Sequence, residues 1–380
     1  MTRKLIYIDV NTFPNEGFTS GLFIMVREIL QRSSVFGFEP RMVTINYSPN
    51  TKTRIKSVMR DRLRIDYFYI PKNNEVDFSQ TKQNLENVFN EFRSGDVFIC
   101  NIPAVFFDPL HLLVMQLLKE RKSQVKIIFF DALFPKEHTQ QARRFRNEYK
   151  KILKTFDVYS VSKGIKRMAE NLLKRHVKTF PNIYNISLVR SLKNVSLRKY
   201  VTMINTHPIK GIDIFNAVAK KMPTVNFLIV DSWTDVPPYM QQSSNIRHQR
   251  FTRNVRDIYS MTKLLLVPSL CEEGPTRVIT EAAINGIPVI ANKIGSIPEN
   301  SRTVQLVNPP EIKGYKTKGS VLFPVINRED LEATVSSYEK AILRNLDKVF
   351  YEQKSRTVRM YARKMIADSN KKFTSIIQSW

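Results

Sequence analysis

The stretch from Ser269 to Asn300, SLCEEGPTRVITEAAINGIPVIANKIGSIPEN, decides the fold. An apolar run ends just before it, and a loop with a Gly-Pro step follows, with Pro275 placed near the first position of a helix. A Gly-Ile-Pro step then leads into a second apolar run. Strand, loop, helix and strand in this order predict a parallel sheet covered by helices.

The same alternation of short apolar runs and amphipathic stretches continues over the whole chain. The predicted strands of the first half are residues 5–10, 41–47, 65–70, 97–100, 125–130 and 158–161. The predicted strands of the second half are residues 200–205, 227–231, 264–268, 288–291 and 321–323. We therefore expect two doubly wound Rossmann-like domains, residues 1–190 and 191–350, facing each other across a ligand-binding cleft. Residues 351–380 are expected to form helices that cross back to the first domain.

Charge is the unusual feature of the composition. The 380 residues include 60 Lys and Arg against 34 Asp and Glu, a net charge of +26 that predicts an anionic partner. Two distant cysteines favour buried thiols in a reducing compartment over a disulfide framework. No stretch reaches the roughly 18 apolar residues of a membrane span, and the first apolar run is too short for a signal peptide. These features predict a cytoplasmic protein.

Two glutamates, Glu273 and Glu281, flank the predicted helix start. Backbone N–H groups of Gly274, Thr276 and Arg277 would meet an anion there, because a helix N-terminus carries a partial positive charge. The two carboxylates could then hold two sugars of one ligand on either side of a diphosphate. The structural alternative is a helix cap for Glu273 and a surface ion pair for Glu281.

The stretch EGPTRVITEAAINGIPVIANKIGSIPE, with seven residues between its two glutamates, resembles the retaining glycosyltransferases of family 4. Weaker matches are NTHPIKG (205–211), YSVSKGIKRM (159–168), FPNIYN (180–185) and NEGFTSG (15–21). The resemblance implies the GT-B fold and a nucleotide-sugar donor, with uridine diphosphate expected as its nucleotide. It implies neither a metal nor a cofactor.

The resemblance also assigns roles to residues. Glu273 would bind the transferred sugar, Lys210 would neutralise the diphosphate, and Glu281 would bind the ribose. The remaining predicted donor-binding residues are Gly17, Gly21, Gly274, Pro275, Thr276 and Arg277. Catalysis would proceed by front-face displacement without a protein nucleophile, through positioning and charge stabilisation.

The sequence departs from the family at two positions. An arginine is common five or six residues before the Lys-Gly turn, where this chain has Ile204 and Asn205. Arg253 or Arg277 would replace it, with Arg250 as a further candidate. A histidine common after a first-domain strand is replaced by Asp131, and either Asp131 or His138 would position the acceptor.

Residues 53–65, TRIKSVMRDRLRI, have apolar residues at helical spacing and predict a basic amphipathic helix on an anionic membrane. Its basic residues are Arg54, Lys56, Arg60, Arg62 and Arg64. Residues 142–154 and 163–178 are similar, which predicts a peripheral enzyme at the inner face of the plasma membrane, acting on a lipid-linked or membrane-proximal glycan in polysaccharide biosynthesis. Basic helix faces that are simply solvated are the alternative.

The rival functions are nucleic-acid binding, a non-catalytic glycosyltransferase-like protein, and an epimerase or phosphorylase of the same fold. No nucleic acid is expected as a partner, because the sequence has no nucleic-acid-binding motif.

Overall fold

The computed structural model describes residues 2–11, 20–48, 54–71, 78–101, 109–130, 140–193, 197–231, 243–252, 254–318 and 321–380. The chain divides into two compact units. The first comprises Met1–Ile183 and Ser369–Trp380, and the second comprises Tyr184–Asp368.

The first unit is built on an eight-stranded sheet. Its strands are β1 (Arg3–Val10), β2 (Phe38–Ser48), β3 (Arg54–Arg60), β4 (Leu63–Pro71), β5 (Val97–Asn101), β6 (Gln124–Phe129), β7 (Asp157–Ser160) and β8 (Lys178–Thr179). The order across the sheet is β3-β4-β2-β1-β5-β6-β7-β8, and only β3 runs antiparallel to its neighbour among the described pairs. The connecting helices are α1 (Gly21–Ser33), α2 (Phe78–Phe89), α3 (Pro109–Glu120), α4 (Gln140–Leu153) and α5 (Lys163–Leu173).

The second unit is built on a six-stranded parallel sheet. Its strands are β9 (Tyr200–Ile204), β10 (Phe227–Val230), β11 (Ile246–Gln249), β12 (Thr262–Val267), β13 (Val289–Asn292) and β14 (Val304–Val307). An antiparallel hairpin, β15 (Ile312–Lys318) and β16 (Val321–Ile326), lies outside this sheet. The helices are α6 (Ile186–Val189), α7 (Ile212–Lys221), α8 (Val255–Met261), α9 (Arg277–Ile284), α10 (Arg328–Leu346) and α11 (Lys348–Gln378).

The strand order of the second sheet is β11-β10-β9-β12-β13-β14. Counted within the unit this is the doubly wound order 3-2-1-4-5-6. Strands β10 and β13 are buried along their whole length, as expected for a sheet with helices on both faces. The order reverses between β9 and β12, and ligands of such sheets bind beyond the carboxyl ends of the strands at this point.

Helix α11 begins in the second unit, and its last turns belong to the first. There the C-terminal Trp380 stacks on Phe180 with ring centroids 5.9 Å apart, and its Nε1 donates a hydrogen bond of 3.2 Å to the Tyr159 hydroxyl. Burial of these rings anchors the end of the chain in the first core. Across the described ranges, every helix is too short or too polar to span a bilayer.

The predicted basic helix over residues 53–65 is wrong. Its described part forms the antiparallel hairpin of β3 and β4, with Asp61 and Arg62 at the turn. Both turn residues have positive φ, +50° and +64°, which is the geometry of a two-residue hairpin turn. Leu63 and Ile65 are fully buried and alternate with polar residues, and this period of two dominates over the helical spacing.

The prediction for residues 321–323 also needs correction. They lie in β16, which pairs with β15 and not with the parallel sheet. Every residue of β16 is only partly buried, unlike the central strands of the sheet.

Candidate functional site

Lys210 and Glu273 follow the two strands that flank the switch point of the second sheet. Lys210 ends a 3-10 turn, Pro208–Lys210, after β9, and Glu273 lies in the loop after β12. Although 63 positions separate them in sequence, Lys210 Nζ lies 2.6 Å from Glu273 Oε1. The fold therefore brings a cation and a carboxylate together at the edge where doubly wound sheets bind ligands.

The Glu273 carboxylate is held by a second donor. Ser269 Oγ donates a hydrogen bond of 2.6 Å to the same oxygen, Oε1. The residue is 8% exposed, and the side-chain hydrogen bonds to its carboxylate within the described ranges all end on Oε1. A fixed carboxylate with one uncommitted oxygen is suited to accept hydrogen bonds from the hydroxyl groups of a ligand.

Two glycines allow the site loops to pack closely. Gly211, directly after Lys210, has φ +86°, and a Cβ there would overlap the backbone carbonyl of Pro268. Gly295 has φ +55°, and a Cβ there would overlap the backbone of Glu273. Ser296 N donates a hydrogen bond of 2.9 Å to Glu273 O, which fixes the loop from the other side. Glycine is required at both positions by conformation and by space.

Glu281 lies on α9 and is 7% exposed. The Tyr259 hydroxyl donates a hydrogen bond of 2.8 Å to Glu281 Oε2, and Arg277 Nε lies 3.4 Å from Oε1. The Arg277 guanidinium also stacks over the Tyr184 ring, 4.5 Å from its centroid. A buried carboxylate needs such partners because desolvation of an unpaired charge is costly.

The electrostatics keep the Tyr259 hydroxyl protonated. Burial raises the pKa of Tyr259 well above its ordinary value, and the negative charge of Glu281 raises it further. Burial also raises the pKa of Tyr184, against the opposing effect of Arg277. Tyr259 is therefore a permanent hydrogen-bond donor to Glu281 over the physiological pH range.

The helix start differs in detail from the prediction. Helix α9 begins at Arg277 with Thr276 as its N-cap, so Pro275 precedes the cap and does not occupy the first helical position. Thr276 makes no side-chain cap; its Oγ1 instead donates to Gly274 O at 3.3 Å. Gly274, Pro275 and Thr276 are partly exposed. The first-turn N–H groups are thus not capped by a side chain and can meet an anion.

The cysteine nearest the site is not a nucleophile. Burial and, to a smaller extent, the neighbouring negative charge of Glu273 raise the pKa of Cys271 to about 12. A thiol of this pKa is protonated at neutral pH and unreactive. In the described part of the chain, no group of three or more His, Cys, Asp or Glu residues is placed to hold a metal ion.

Near the position of the family arginine, the side chains of Asn205 and His207 accept hydrogen bonds from the local backbone. Asn205 directly follows β9 and has φ +81°, and its Oδ1 accepts a hydrogen bond of 3.0 Å from His207 N. His207 Nδ1 accepts from Ile209 N at 3.3 Å. Burial lowers the pKa of His207, and the charge of Lys210 lowers it further. Neither residue supplies a second cation.

Several predicted site residues lie outside the described residues: Gly17, Asp131, His138 and Arg253. Gly21 is the first residue of α1, whose N-cap Ser20 accepts a hydrogen bond from Phe23 N. Glu272 and Arg250 are exposed, and Glu299 lies in the 3-10 turn Ile297–Asn300.

The basic residues of the hairpin divide into two groups. Arg60 lies over the Phe23 ring at 4.5 Å, and Arg64 Nε lies 3.0 Å from Asp66 Oδ1. Arg54 and Lys56 on β3, and Arg62 at the turn, are exposed. The hairpin therefore presents several exposed basic side chains.

Three site residues were missed by sequence reasoning: Ser269, Tyr259 and Tyr184. Ser269 stands at the start of the decisive stretch, four positions before Glu273, so its proximity was readable. Tyr259 and Tyr184 reach Glu281 and Arg277 from other parts of the chain. No local pattern marks either tyrosine.

Residues 199–318, which include β9 to β15, match the family model described as glycosyl transferases group 1. This match contains Lys210, Glu273 and Glu281. Among curated protein sequences, none matches the chain at the significance required.

Solved glycosyltransferase structures share the whole fold. Sucrose-phosphate synthase from Thermosynechococcus elongatus is 16% identical with a TM-score of 0.70, covering 99% of this chain and 98% of that one. HepE from Anabaena, in complex with UDP and glucose, is 13% identical with a TM-score of 0.70 and full coverage of both chains. The trehalose-phosphate synthase from Burkholderia xenovorans is 12% identical with a TM-score of 0.66, covering 99% of this chain and 100% of that one. The predicted fold class, GT-B with two Rossmann-like domains, is confirmed.

Proposed function

We propose that this protein is a retaining glycosyltransferase that transfers a hexose-type sugar from a uridine diphosphate donor to a hydroxyl group of a glycan. The observation that carries the proposal is the Lys210–Glu273 pair at the switch point of the second sheet. Glu273 and the start of α9 both follow β12, and the buried Glu281 lies on that helix. A cation, N–H donors and two separate carboxylates match a diphosphate with a sugar on each side.

Each group then has one partner in the donor. Lys210 Nζ and the N–H groups of Gly274, Thr276 and Arg277 bind the diphosphate. Glu273 accepts hydrogen bonds from the transferred sugar, and Glu281 accepts them from the ribose. The Arg277 side chain faces Glu281 and stacks on Tyr184, so we assign it to positioning Glu281. A second diphosphate cation from Arg253 remains a prediction.

The ion pair has a consequence for donor binding. Lys210 Nζ lies 2.6 Å from Glu273 Oε1 in the structure. A diphosphate offers Lys210 more negative charge than one carboxylate, so the lysine shifts toward it while Ser269 continues to hold Glu273 Oε1. The carboxylate then gains capacity to accept sugar hydroxyls. Binding exchanges one charged hydrogen bond for others and avoids leaving either charge unpaired.

The chemical step needs no nucleophile from the protein. The acceptor hydroxyl attacks the anomeric carbon on the face from which the diphosphate leaves, and its proton passes to the departing phosphate oxygen. Lys210 and the helix N-terminus stabilise the charge that develops on this oxygen. Bond formation and bond cleavage on one face retain the anomeric configuration.

The similar structures support this choice of donor. The HepE structures hold UDP, UDP with glucose, or UDP-glucose. The trehalose-phosphate synthase is described as UDP-forming and holds glucose-6-phosphate. We propose a uridine diphosphate sugar as donor and a sugar hydroxyl as acceptor for this chain on these grounds.

The stereochemistry tests the proposal directly. We would incubate the protein with a panel of UDP-hexoses and glycan acceptors and follow release of UDP. The anomeric proton coupling of the product, measured by NMR, should show the same configuration as the donor. An inverted product would contradict the front-face mechanism, and release of no UDP with any hexose donor would contradict the transfer itself.

We further propose that the acceptor lies at an anionic membrane, at the cytoplasmic face. The support is the edge hairpin, where Ile55 and Met59 are 62% and 69% exposed beside Arg54, Lys56 and Arg62. Exposed apolar side chains between basic residues suit a lipid interface, and each basic residue adds on the order of 1 kcal/mol there.

Vesicle co-sedimentation tests the membrane surface. The protein should sediment with phosphatidylserine-containing vesicles at low salt and lose this binding in Ile55→Asp/Met59→Asp. Val35→Asp, which changes an exposed residue elsewhere in the first unit, is the matched control. Absence of wild-type binding would end the membrane proposal while leaving the donor site untouched.

A further inference from the structure

Four arginines gather at the C-terminal end of α9 in the second unit. Arg198 Nη1 and Arg359 Nη2 donate to the same backbone oxygen, Asn285 O, at 2.9 and 3.3 Å. The charges of Arg198, Arg363 and Arg190 are close enough to lower the pKa of Arg359, after the larger effect of its burial. The donor-site residues Arg277 and Glu281 belong to the first two turns of the same helix.

Hydrogen bonds of Asn285 and the space at Gly286 position two of these arginines. Ser191 N donates to Asn285 Oδ1 at 2.8 Å, and Asn285 Nδ2 donates to Val189 O at 3.2 Å, which fixes the segment carrying Arg190. Gly286 follows with φ +67°, and a Cβ there would lie 2.6 Å from Arg359 Nη2. The glycine thus leaves the space that the Arg359 guanidinium occupies.

The positive charge is not balanced. None of the four arginines forms an ion pair with a carboxylate inside the described ranges. Arg198 is only 8% exposed, and its buried Nε has no hydrogen-bond partner there. Buried charges are normally paired, because desolvation makes an unpaired charge costly.

Helix capping explains only part of this arrangement. The C-terminus of a helix carries about half a negative unit charge, which two arginines on Asn285 O would already satisfy. Four guanidinium groups exceed that charge several times over. The hydroxyl of Tyr351, also buried and without a hydrogen-bond partner in the same ranges, lies near Arg359 and can supply a further donor.

We propose that Arg190, Arg198, Arg359 and Arg363 form a binding site for a phosphate-bearing anion, separate from the donor site. Guanidinium groups bind phosphate oxygens with paired, directed hydrogen bonds, and several of them together select a group with more than one negative charge. Arg190 and Arg363 are exposed and give the anion access, while Arg198 and Arg359 form the inner wall. The inference does not depend on the reaction proposed above.

Pyrophosphate is the probe, and Lys210→Ala is the background because it removes the cation assigned to the donor diphosphate. Calorimetry at low salt should show pyrophosphate binding to Lys210→Ala. Adding Arg190→Ala/Arg363→Ala should weaken the affinity about 10-fold or more, since two charge-assisted interactions are lost. Adding Arg328→Ala/Lys340→Ala, which removes the same charge from exposed positions on α10, should leave the affinity unchanged.

A thermal measurement separates binding from a structural role. Without anion, Arg190→Ala/Arg363→Ala should unfold at the same temperature as its parent or higher, because repulsion is relieved. With pyrophosphate, only the parent and the Arg328→Ala/Lys340→Ala control should gain stability. A variant that is destabilised without anion and gains as much as its parent with anion would overturn the proposal.

Vesicles containing phosphatidic acid distinguish the source of the phosphate. Sedimentation that Arg190→Ala/Arg363→Ala abolishes and Ile55→Asp/Met59→Asp leaves intact would assign a lipid headgroup. Pyrophosphate binding without such sedimentation would assign a free phosphate compound. If pyrophosphate affinity is the same in the variant and its parent, or no binding occurs, the site does not exist.

Discussion

The hydrogen bond from Tyr259 to Glu281 offers a sharp test of the donor site. Tyr259→Phe removes the donor and keeps the ring, so the packing of this fully buried side chain changes little. Glu281 then keeps Arg277, 3.4 Å away, as its described side-chain partner. Loss of a hydrogen bond to a buried charged group costs about 1.5–3 kcal/mol.

Two measurements should register this loss. The free energy of unfolding of Tyr259→Phe, measured in urea, should fall by about 1.5–3 kcal/mol. The affinity for UDP should fall about 10-fold. Poorer positioning of Glu281 is expected to cost about 1.4 kcal/mol of binding free energy, which corresponds to that factor. Calorimetric titration with UDP gives the second value.

Tyr338→Phe is the matched control. Tyr338 is also fully buried in the second unit, and its hydroxyl donates to the neutral Asn292 Oδ1 at 3.0 Å. This variant should lose about 0.5–1.5 kcal/mol of stability and keep its UDP affinity. If Tyr259→Phe also binds UDP like the wild type while losing stability, the hydroxyl serves only the core and our assignment of Glu281 is refuted.

Three further outcomes are expected. Gly211→Ala should cost several kcal/mol in a urea melt, because positive φ is strained and the new Cβ overlaps the Pro268 carbonyl; an unchanged midpoint would contradict this loop geometry. Asp66→Asn should destabilise the first unit by about 1.5–3 kcal/mol, because the buried Arg41 loses its charged partner 2.5 Å away and keeps, among the described residues, only Glu91 at 2.6 Å. Burial raises the pKa of Asp66, but hydrogen bonds from Ser57 and Arg41 outweigh it and lower the pKa, so this stabilisation is present above about pH 4 and is lost in acid. The raised pKa of Cys271, about 12, means that its neutral thiol stabilises the fold below about pH 9 and that this contribution is lost as pH rises further; iodoacetamide at pH 8 should label it only in denaturant.

Most of the sheet could be predicted because its strands are buried on both faces. Runs such as residues 97–100 and 227–230 are continuously apolar, and such runs between amphipathic stretches indicate parallel strands. The edge strands β11 and β14 were missed because they lack this continuous burial. Their sequences, IRHQ and VQLV, are only partly buried and carry polar residues, so hydrophobic patterning does not mark them.

The hairpin of residues 54–71 shows how a helical spacing can mislead. Ile55, Val58 and Met59 fall at helical intervals, but Ile55 and Met59 are exposed and only Val58 packs against the core. The turn depends on two non-glycine residues with positive φ, Asp61 and Arg62. This pair is not one of the sequences, such as Asn-Gly or Asp-Gly, that usually indicate such a turn. The alternation of the buried Leu63 and Ile65 with polar residues, together with the turn conformation, is what indicates a hairpin here.

Sequence motifs suggest the acidic and basic groups of the candidate site, but they do not reveal the residues that support them. Lys210, Glu273 and Glu281 belong to motifs that can be read along the chain. Tyr259 and Tyr184 act through contacts that only the folded second unit creates. Supporting residues of this kind are invisible to local patterns because their spacing in sequence is set by the topology of the sheet.

The most direct test of the central claim is a calorimetric titration of UDP into the wild type, Lys210→Ala and Glu281→Gln. Lys221→Ala, which removes a surface lysine paired with Glu339 at 2.8 Å, is the control of equal charge. We expect the wild type and Lys221→Ala to bind UDP equally, and each site variant to bind about 10-fold or more weakly. Equal UDP binding by all four folded proteins, or binding by none, would contradict a nucleotide-sugar site at Lys210 and Glu281.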